Sequence, residues 1–391
     1  MEFLEAPPLP FYFTPEHEQF RAGLREFIAR EITPFVAEWD EAETFPRELY
    51  VRAAEMGVQG LGYPEAYGGT PADVFFQLIV AEEFARCGGG GLQASLNSHS
   101  IALPPILHAG SDALKQRVIP PVLAGRKIAA LAVTEPSGGS DVAALKTTAI
   151  RDGDHYVVNG EKTFITSGMR ADFITTAVRT DPSIKGAGGI SVLLIDGDTP
   201  GLSRTALKKM GWWSSDTAHL RFDDCRVPLV NLVGVENKGF KTFMNNFNTE
   251  RLFMATLACG FAEVCLEEAV DWTRQRTSFG MPLSERQVVR HKVMDMTMRI
   301  DAARTLIYDL AYRIEHKLAD PARLVARVCL AKVQATQAMQ FCADQAVQLL
   351  GGMGFMRGTR SERIYREVKV MMIGGGSEEV MKDLAARQLG L

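Results

Sequence analysis

The chain has 391 residues, with 43 Lys and Arg against 47 Asp and Glu, for a formal charge of −4. That balance excludes a bulk basic field for nucleic acid or an anionic membrane surface. No apolar run reaches the length of a spanning helix, so membrane insertion is also excluded. At about 150 residues per domain, the length suggests two or three domains or one large composite. The first twenty residues carry Glu2, Glu5, Glu16 and Glu18 and no Lys or Arg, unlike a basic targeting leader, and predict a cytoplasmic protein. Six cysteines without a C-x-x-C predict reduced thiols. The seven histidines form no H-x-H or H-E-x-x-H pair, so no metal site is expected.

From Thr14 to about Gly110 the period is helical. Thr14 and Pro15 read as an N-cap with proline at the first helical position, and Phe20, Leu24, Phe27, Ile28 and Ile32 recur at helical spacing. Gly88 to Gly91 breaks two helices and lets a backbone approach something closely. From about Lys127 to Gly234 the period falls to two. Strands are predicted at Tyr156–Val158, Thr163–Thr166, Phe173–Val178, Ile190–Ile195 and His219–Phe222, with turns at Asn159-Gly160 and Asp196-Gly197. No strand leads into G-x-G-x-x-G, so that dinucleotide fold is unsupported. Beyond Gly239, helical stretches at 249–275, 284–316, 322–350 and 377–387 predict an antiparallel four-helix bundle. The expected architecture is therefore multi-domain α and β: an N-terminal helical domain (1–126), a middle antiparallel β domain (127–236) and a C-terminal four-helix bundle (237–391).

Three loops have the composition of a ligand site. The first, Thr134-Glu135-Pro136-Ser137-Gly138-Gly139-Ser140-Asp141, offers hydroxyls, glycines and exposed amides, and equally suits a surface turn. The second, Gly160 to Gly168, places Phe164 and Thr166 two apart and so on one strand face, as ordinary sheet also does. The third, Gly374-Gly375-Gly376-Ser377-Glu378-Glu379, precedes a helix. It is either an anion-binding N-terminus or a Ser cap with two dipole-complementing acids.

Together T-E-P-x-x-G-S-D, K-x-x-I-T-x-G, R-x-x-F-G and Q-x-x-G-G-x-G-F, in this order, resemble the acyl-CoA dehydrogenase family from about residue 14 to 391. The resemblance implies FAD between the β domain and the C-terminal bundle. It implies an acyl-CoA substrate and an electron-transferring flavoprotein as electron acceptor. Residue by residue, Thr134 would bond the flavin edge, Ser140 the pyrophosphate and the pantetheine side of the substrate, and Thr166 flavin N5. Phe164 would stack beside the flavin, where many members have Trp. Arg276, Ser278, Phe279 and Gln287 would hold the pyrophosphate. Gln348 and Gly352 would bind the ADP half of a neighbouring subunit's FAD, which implies a homo-oligomer, expected to be a tetramer. Ser377 and Glu379 join the cofactor set, and Asn248, Arg251, Gly374 and Gly375 the substrate set.

Many members carry the catalytic base in an I-Y-E-G-T loop, where this chain has Gly375. Glu250, in Asn248-Thr249-Glu250-Arg251, matches the position used by the isovaleryl-CoA and long-chain branches. Alone, an acid there merely complements a helix dipole by about 0.3–1 kcal/mol. A lost base paired with a matching gained one favours Glu250, with Glu378 as runner-up. The Gly375 main-chain N–H, with a ribityl hydroxyl, would bond the thioester oxygen. Long or branched acyl chains are expected, hinted at by small Ala94, Ser95 and Ser98, which tight helix packing explains equally well. The alternatives are a flavin monooxygenase or oxidase of the same fold, and a non-catalytic acyl-CoA-binding homologue. His99 is expected to be a satisfied helix residue, Met294, Met296 and Met298 bundle core, and Arg357, Arg360, Arg363 and Arg366 a solvated surface paired with Glu362 and Glu367.

Overall fold

A computed structural model describes residues 8–391 except 245 and 246, and leaves the side chains of 247 and 248 undescribed. The expected first helix runs Pro15–Glu31 behind the Thr14 cap. Its capping box is closed by His17, whose Nδ1 accepts from the Thr14 N–H at 3.0 Å. Leu24, Phe27 and Ile28 point inward onto Val80, Phe84 and Leu92, forming the N-terminal core. Each such side chain contributes roughly 1.5–3 kcal/mol by leaving water.

The middle sheet has eight strands: β1 (Ala129–Ala132), β2 (Thr148–Asp152), β3 (His155–Thr166), β4 (Phe173–Arg179), β5 (Ile190–Asp196), β6 (Leu202–Ala206), β7 (Thr217–Pro228) and β8 (Leu232–Val233). The order is β6-β7-β3-β2-β4-β5-β8, with β1 on β4. The sheet is mixed rather than wholly antiparallel, because β1 runs parallel to β4, and β2 meets β4 in a parallel bridge at Thr148 and Arg179. Asn159-Gly160 is not a turn. It lies inside the continuous β3, and the reversal falls at Gly153, whose φ of 60° a glycine adopts freely. β4 and β5 are buried on both faces. Phe173, Ala177, Val192 and Leu194 pack on the helix Asp112–Leu123, while Ile174, Val178, Leu193 and Ile195 face Tyr156, Val158, Leu220 and Phe222.

Three long helices, Phe247–Gln275, Gln287–Glu315 and Pro321–Leu350, build the C-terminal core, joined by Phe75, Leu78, Ala81 and Ala85 of the N-terminal helix Val74–Ala85. The fourth helix in this core is Arg360–Ile373, through Ile364, Val368 and Met371, and it was not among the expected four. The expected last helix, Glu378–Gln388, packs in a smaller cluster on Pro321–Leu350.

The arginine-rich segment reads as solvated surface but is largely interior. Arg363 and Arg366 reach the buried Asp40 at 3.6 and 3.2 Å, Glu362 is buried, and Glu367 is fully buried. Arg357 alone is exposed as expected, yet it pairs with Glu41 rather than with Glu362 or Glu367; the expected pairing with Glu362 is made by Arg366, at 2.5 Å. Of the three methionines, Met296 is core, whereas Met294 and Met298 are exposed, because positions two apart on a helix face different ways. All six cysteines are free and buried. Among the described residues, no helix is long and apolar enough to cross a membrane.

Candidate active site

The loop after β1 is fastened to β3 from below. Glu135 is buried and accepts from the Lys146 and Thr147 N–H groups at 2.6 and 2.9 Å and from Lys162 Nζ at 2.8 Å. Burial works against its charge, but Lys162 and these bonds hold Glu135 below its ordinary range. The fully buried Lys162 also donates to the Val133 carbonyl at 2.9 Å. Thr163 N–H donates to the Thr134 carbonyl at 2.9 Å, which sets the half-buried Thr134 beside the strand. Between Lys162 and Ile165 the register with β7 shifts, and Phe164 takes φ +61°. The bulge turns Phe164 outward, 69% exposed, with half-buried Thr166 on the same face and Ile165 inside. Ser140 is exposed at the rim of the loop.

The second centre joins three helices. Glu250 lies in the first turn of Phe247–Gln275, half-buried, with Oε2 fully buried and without a hydrogen-bond partner among the described residues. Burial lifts its carboxyl to about 7, against the pull of Arg251 and Lys332. Beside it, Arg251 Nε donates to the Gly375 carbonyl at 3.1 Å. Gly375 has φ +66°, and a Cβ there would sit 2.8 Å from Met254 Sδ, one turn beyond Glu250. The glycine in place of the usual glutamate is therefore built into the loop's conformation. Lys332, fully buried on Pro321–Leu350, donates to the Gly374 and Gly376 carbonyls at 2.7 Å each. Sequence reasoning missed Lys332. Its signal was a lone charge on the buried face carrying Val328, Cys329, Ala335 and Thr336.

The runner-up base is otherwise engaged: Glu378 accepts from Gln337 and Lys382 at 2.6 and 2.5 Å. Ser377 caps the last helix by accepting from the Val380 N–H, and Glu379 is exposed, as the capping alternative expects. The Asn248 side chain lies outside the described residues.

The remaining expected residues stand elsewhere. Arg276, exposed, follows the C-terminal end of the 29-residue helix that begins near Glu250, so the two lie about 40 Å apart. Ser278 is half-buried in a small hairpin (Thr277–Ser278 with Met281–Pro282), and Phe279 at its tip is 96% exposed. Gln287, Gln348 and Gly352 are exposed at helix ends.

The glycine break serves the protein's own packing. A Cβ on Gly90 would meet Trp212 Nε1 at 2.5 Å and Glu367 Oε2 at 2.9 Å. Ser95 bonds Ser215, and Ser98 donates to the Ala129 carbonyl, both at 2.9 Å. Their small size thus serves close packing rather than pocket volume. His99 is buried against the Leu96 carbonyl at 3.1 Å, as expected.

The chain matches the N-terminal domain of acyl-CoA dehydrogenase over 14–126, the middle domain over 130–225 and the C-terminal domain over 237–390. It is 35% identical over 381 residues to the mitochondrial long-chain specific acyl-CoA dehydrogenase of Rattus norvegicus, covering 96% of this chain and 87% of the relative. The crystal structure of acyl-CoA dehydrogenase from Geobacillus kaustophilus aligns with TM-score 0.93 at 37% identity, over 97% of this chain and 99% of that one. A glutaryl-CoA dehydrogenase from Mycobacterium smegmatis in complex with FADH2 aligns with TM-score 0.90 at 25% identity, over 97% and 96%. With helical, β and helical parts each matched in order, the chain belongs to the acyl-CoA dehydrogenase family.

Proposed function

We propose that the chain catalyses FAD-dependent α,β-dehydrogenation of an acyl-CoA thioester with Glu250 as the base. The observation that carries this reading is the buried, unpartnered Glu250 Oε2. A carboxylate whose proton affinity burial has raised to about 7 is matched to taking a weakly acidic Cα proton near neutral pH. Gly375, next to it, offers a main-chain N–H to the thioester oxygen as negative charge develops there. One such donor is worth about 3–4 kcal/mol to a transition state. Arg251 keeps the Gly375 peptide in place through its carbonyl.

The residues fit FAD. An aromatic side chain turned outward by a bulge at positive φ is a platform for a planar ring, and the adjoining strand and loop carry the hydroxyls of Thr166, Thr134 and Ser140, none of them fully buried. When bound, FAD supplies the acceptor for the hydride leaving Cβ. Phe164 and Thr166 would hold the flavin ring, Thr134 its edge and Ser140 the pyrophosphate.

Arg276, Ser278, Phe279, Gln287, Gln348 and Gly352 would contact the cofactor of a second subunit. Glu250 and Arg276 are about 40 Å apart in one chain, a gap that a ribityl chain does not bridge. This supports a homo-oligomer, with a tetramer as the expected state and an electron-transferring flavoprotein as electron acceptor. A long or branched acyl chain rests on the base's placement on the Phe247–Gln275 helix and on the likeness to a long-chain relative.

The test is anaerobic mixing of the yellow holoenzyme with straight (four to sixteen carbons), branched and cyclic acyl-CoAs. Bleaching of the flavin by at least one, fastest with a long or branched chain, is expected. Bound flavin that none of them reduces would refute dehydrogenation and favour an oxygen-using or non-catalytic homologue.

A further inference from the structure

We infer that Lys332 is a positioning residue for the thioester-oxygen donor: by drawing two carbonyls of the glycine loop to itself, it aims the Gly375 N–H at the substrate. The inference rests on the reading of Gly375 as that donor.

In a trans peptide, the carbonyl of one residue and the N–H of the next point in opposite directions. The Gly374 carbonyl is bound to Lys332 Nζ at 2.7 Å, so the Gly375 N–H is directed away from that ammonium. The Gly376 carbonyl is held by the same nitrogen at 2.7 Å, and the Met372 carbonyl approaches it at 3.3 Å. Between them, the Gly375 carbonyl is taken by Arg251 Nε at 3.1 Å. Three successive carbonyls are thus assigned to two cations.

The assignment decides the loop's conformation. Gly375 and Gly376 take φ +66° and +113°, torsions that glycine adopts without a side-chain penalty but does not choose unaided. Helix hydrogen bonding cannot do this work, since it ends with the Gly374 N–H on the Val370 carbonyl at 2.7 Å. Among the described residues nothing in the chain accepts from the Gly375 N–H, as an open donor requires.

Burying an ammonium is costly unless its donors are filled. Lys332 is fully buried and spends its donors on this loop, which is what a residue kept for aiming the loop would do. Its charge also faces Glu250, Arg251, Cys329 and Glu378. Toward Glu250 it acts in a second way, favouring the ionised carboxylate that accepts the proton.

The test uses holoenzyme and acetoacetyl-CoA. This 3-keto thioester ionises to an enolate without a dehydrogenation step, and its ionisation is read from the long-wavelength charge-transfer absorbance with bound flavin across a pH series. Lys332→Met keeps the chain length and removes the charge and donors. Lys332→Gln keeps an amide donor. The expected result is retained flavin with enolate formation weakened about tenfold or more in Lys332→Met, which is an apparent pKa raised by about one pH unit. Lys332→Gln should lose less. In acyl-CoA reduction, the rising limb of the pH profile should also move to higher pH in Lys332→Met, because Glu250 loses a positive neighbour. Wild-type ionisation of the ligand in both variants would overturn the inference, and so would loss of flavin from both, which would mark Lys332 as purely structural. Glu250→Gln separates the two readings. If it retains turnover the base assignment fails, whereas the Lys332 result is read from ligand ionisation alone.

Discussion

Gly375→Ala tests whether the glycine loop is a working part or a vacant position. At φ +66° an L-residue pays about 1–2 kcal/mol over glycine. The new Cβ would also stand 2.8 Å from Met254 Sδ, closer than ordinary contact, and Met254 is largely buried. Displacing that sulfur by a few tenths of an ångström adds roughly 1 kcal/mol. The backbone cannot escape by rotating, because the Gly375 carbonyl would leave Arg251 and its neighbours would leave Lys332. The sum of about 2–3 kcal/mol lowers the melting temperature of a chain this long by roughly 3 °C. Turnover should fall by more than stability does, because the misdirected N–H is the proposed oxygen donor. Thermal melting of the holoenzyme and single-turnover flavin reduction read the two effects separately. Gly375→Glu should bear the same cost and should not restore a Glu250→Gln enzyme. Wild-type melting and turnover in Gly375→Ala, or full rescue by Gly375→Glu, would show that the loop does not depend on glycine at this position.

The rate of flavin reduction should rise with pH through about 7, since Glu250 must be ionised to act and its carboxyl is raised from 4.5; stopped-flow rates from pH 5 to 9 that stay flat would contradict this. The same shift makes the folded state hold the Glu250 proton more tightly than the unfolded chain. Its stabilising contribution is full below about 4.5 and lost as pH rises through about 7, so Glu250→Gln should gain melting temperature relative to wild type at pH 8 but not at pH 5. Lys162→Met strands the buried Glu135 and should cost about 3–5 kcal/mol while loosening the Thr134 loop, seen as a lower melting temperature and faster flavin loss. Mixing Glu250→Gln with Arg276→Glu subunits after partial dissociation should restore activity that neither has alone, because an intact site would take Glu250 from one chain and Arg276 from another; no recovery in verified mixed oligomers would refute the shared site.

Features carried by local chemistry were legible before the structure. Thr14 with Pro15 announced the first helix, the change from helical to two-residue period marked the β region, and the joint pattern of Gly375 and Glu250 pointed to two segments that the fold joins through Arg251. What was misread depended on partners distant in sequence. Asn159-Gly160 looks like a hairpin turn, yet β7 pairs alongside it on both sides and keeps it within a strand. Arg360–Ile373 looks like basic surface because only the fold brings Asp40 to Arg363 and Arg366. Ser95 and Ser98 suited pocket lining and tight packing equally, and only the fold, by giving their hydroxyls to Ser215 and Ala129, decides for packing. Lys162 and Lys332 were passed over for a related reason. Each serves backbone carbonyls far along the chain, and carbonyls leave no trace in residue identity.

Removal of the Cα proton by Glu250 is the proposed chemical step. Its most direct test is anaerobic single-turnover reduction of Glu250→Gln holoenzyme by the best acyl-CoA of the panel, with flavin content measured in the same sample. The predicted result is full flavin occupancy and undiminished ligand binding, with reduction slowed at least about a hundredfold. Reduction at the wild-type rate would contradict the assignment and turn attention to Glu378.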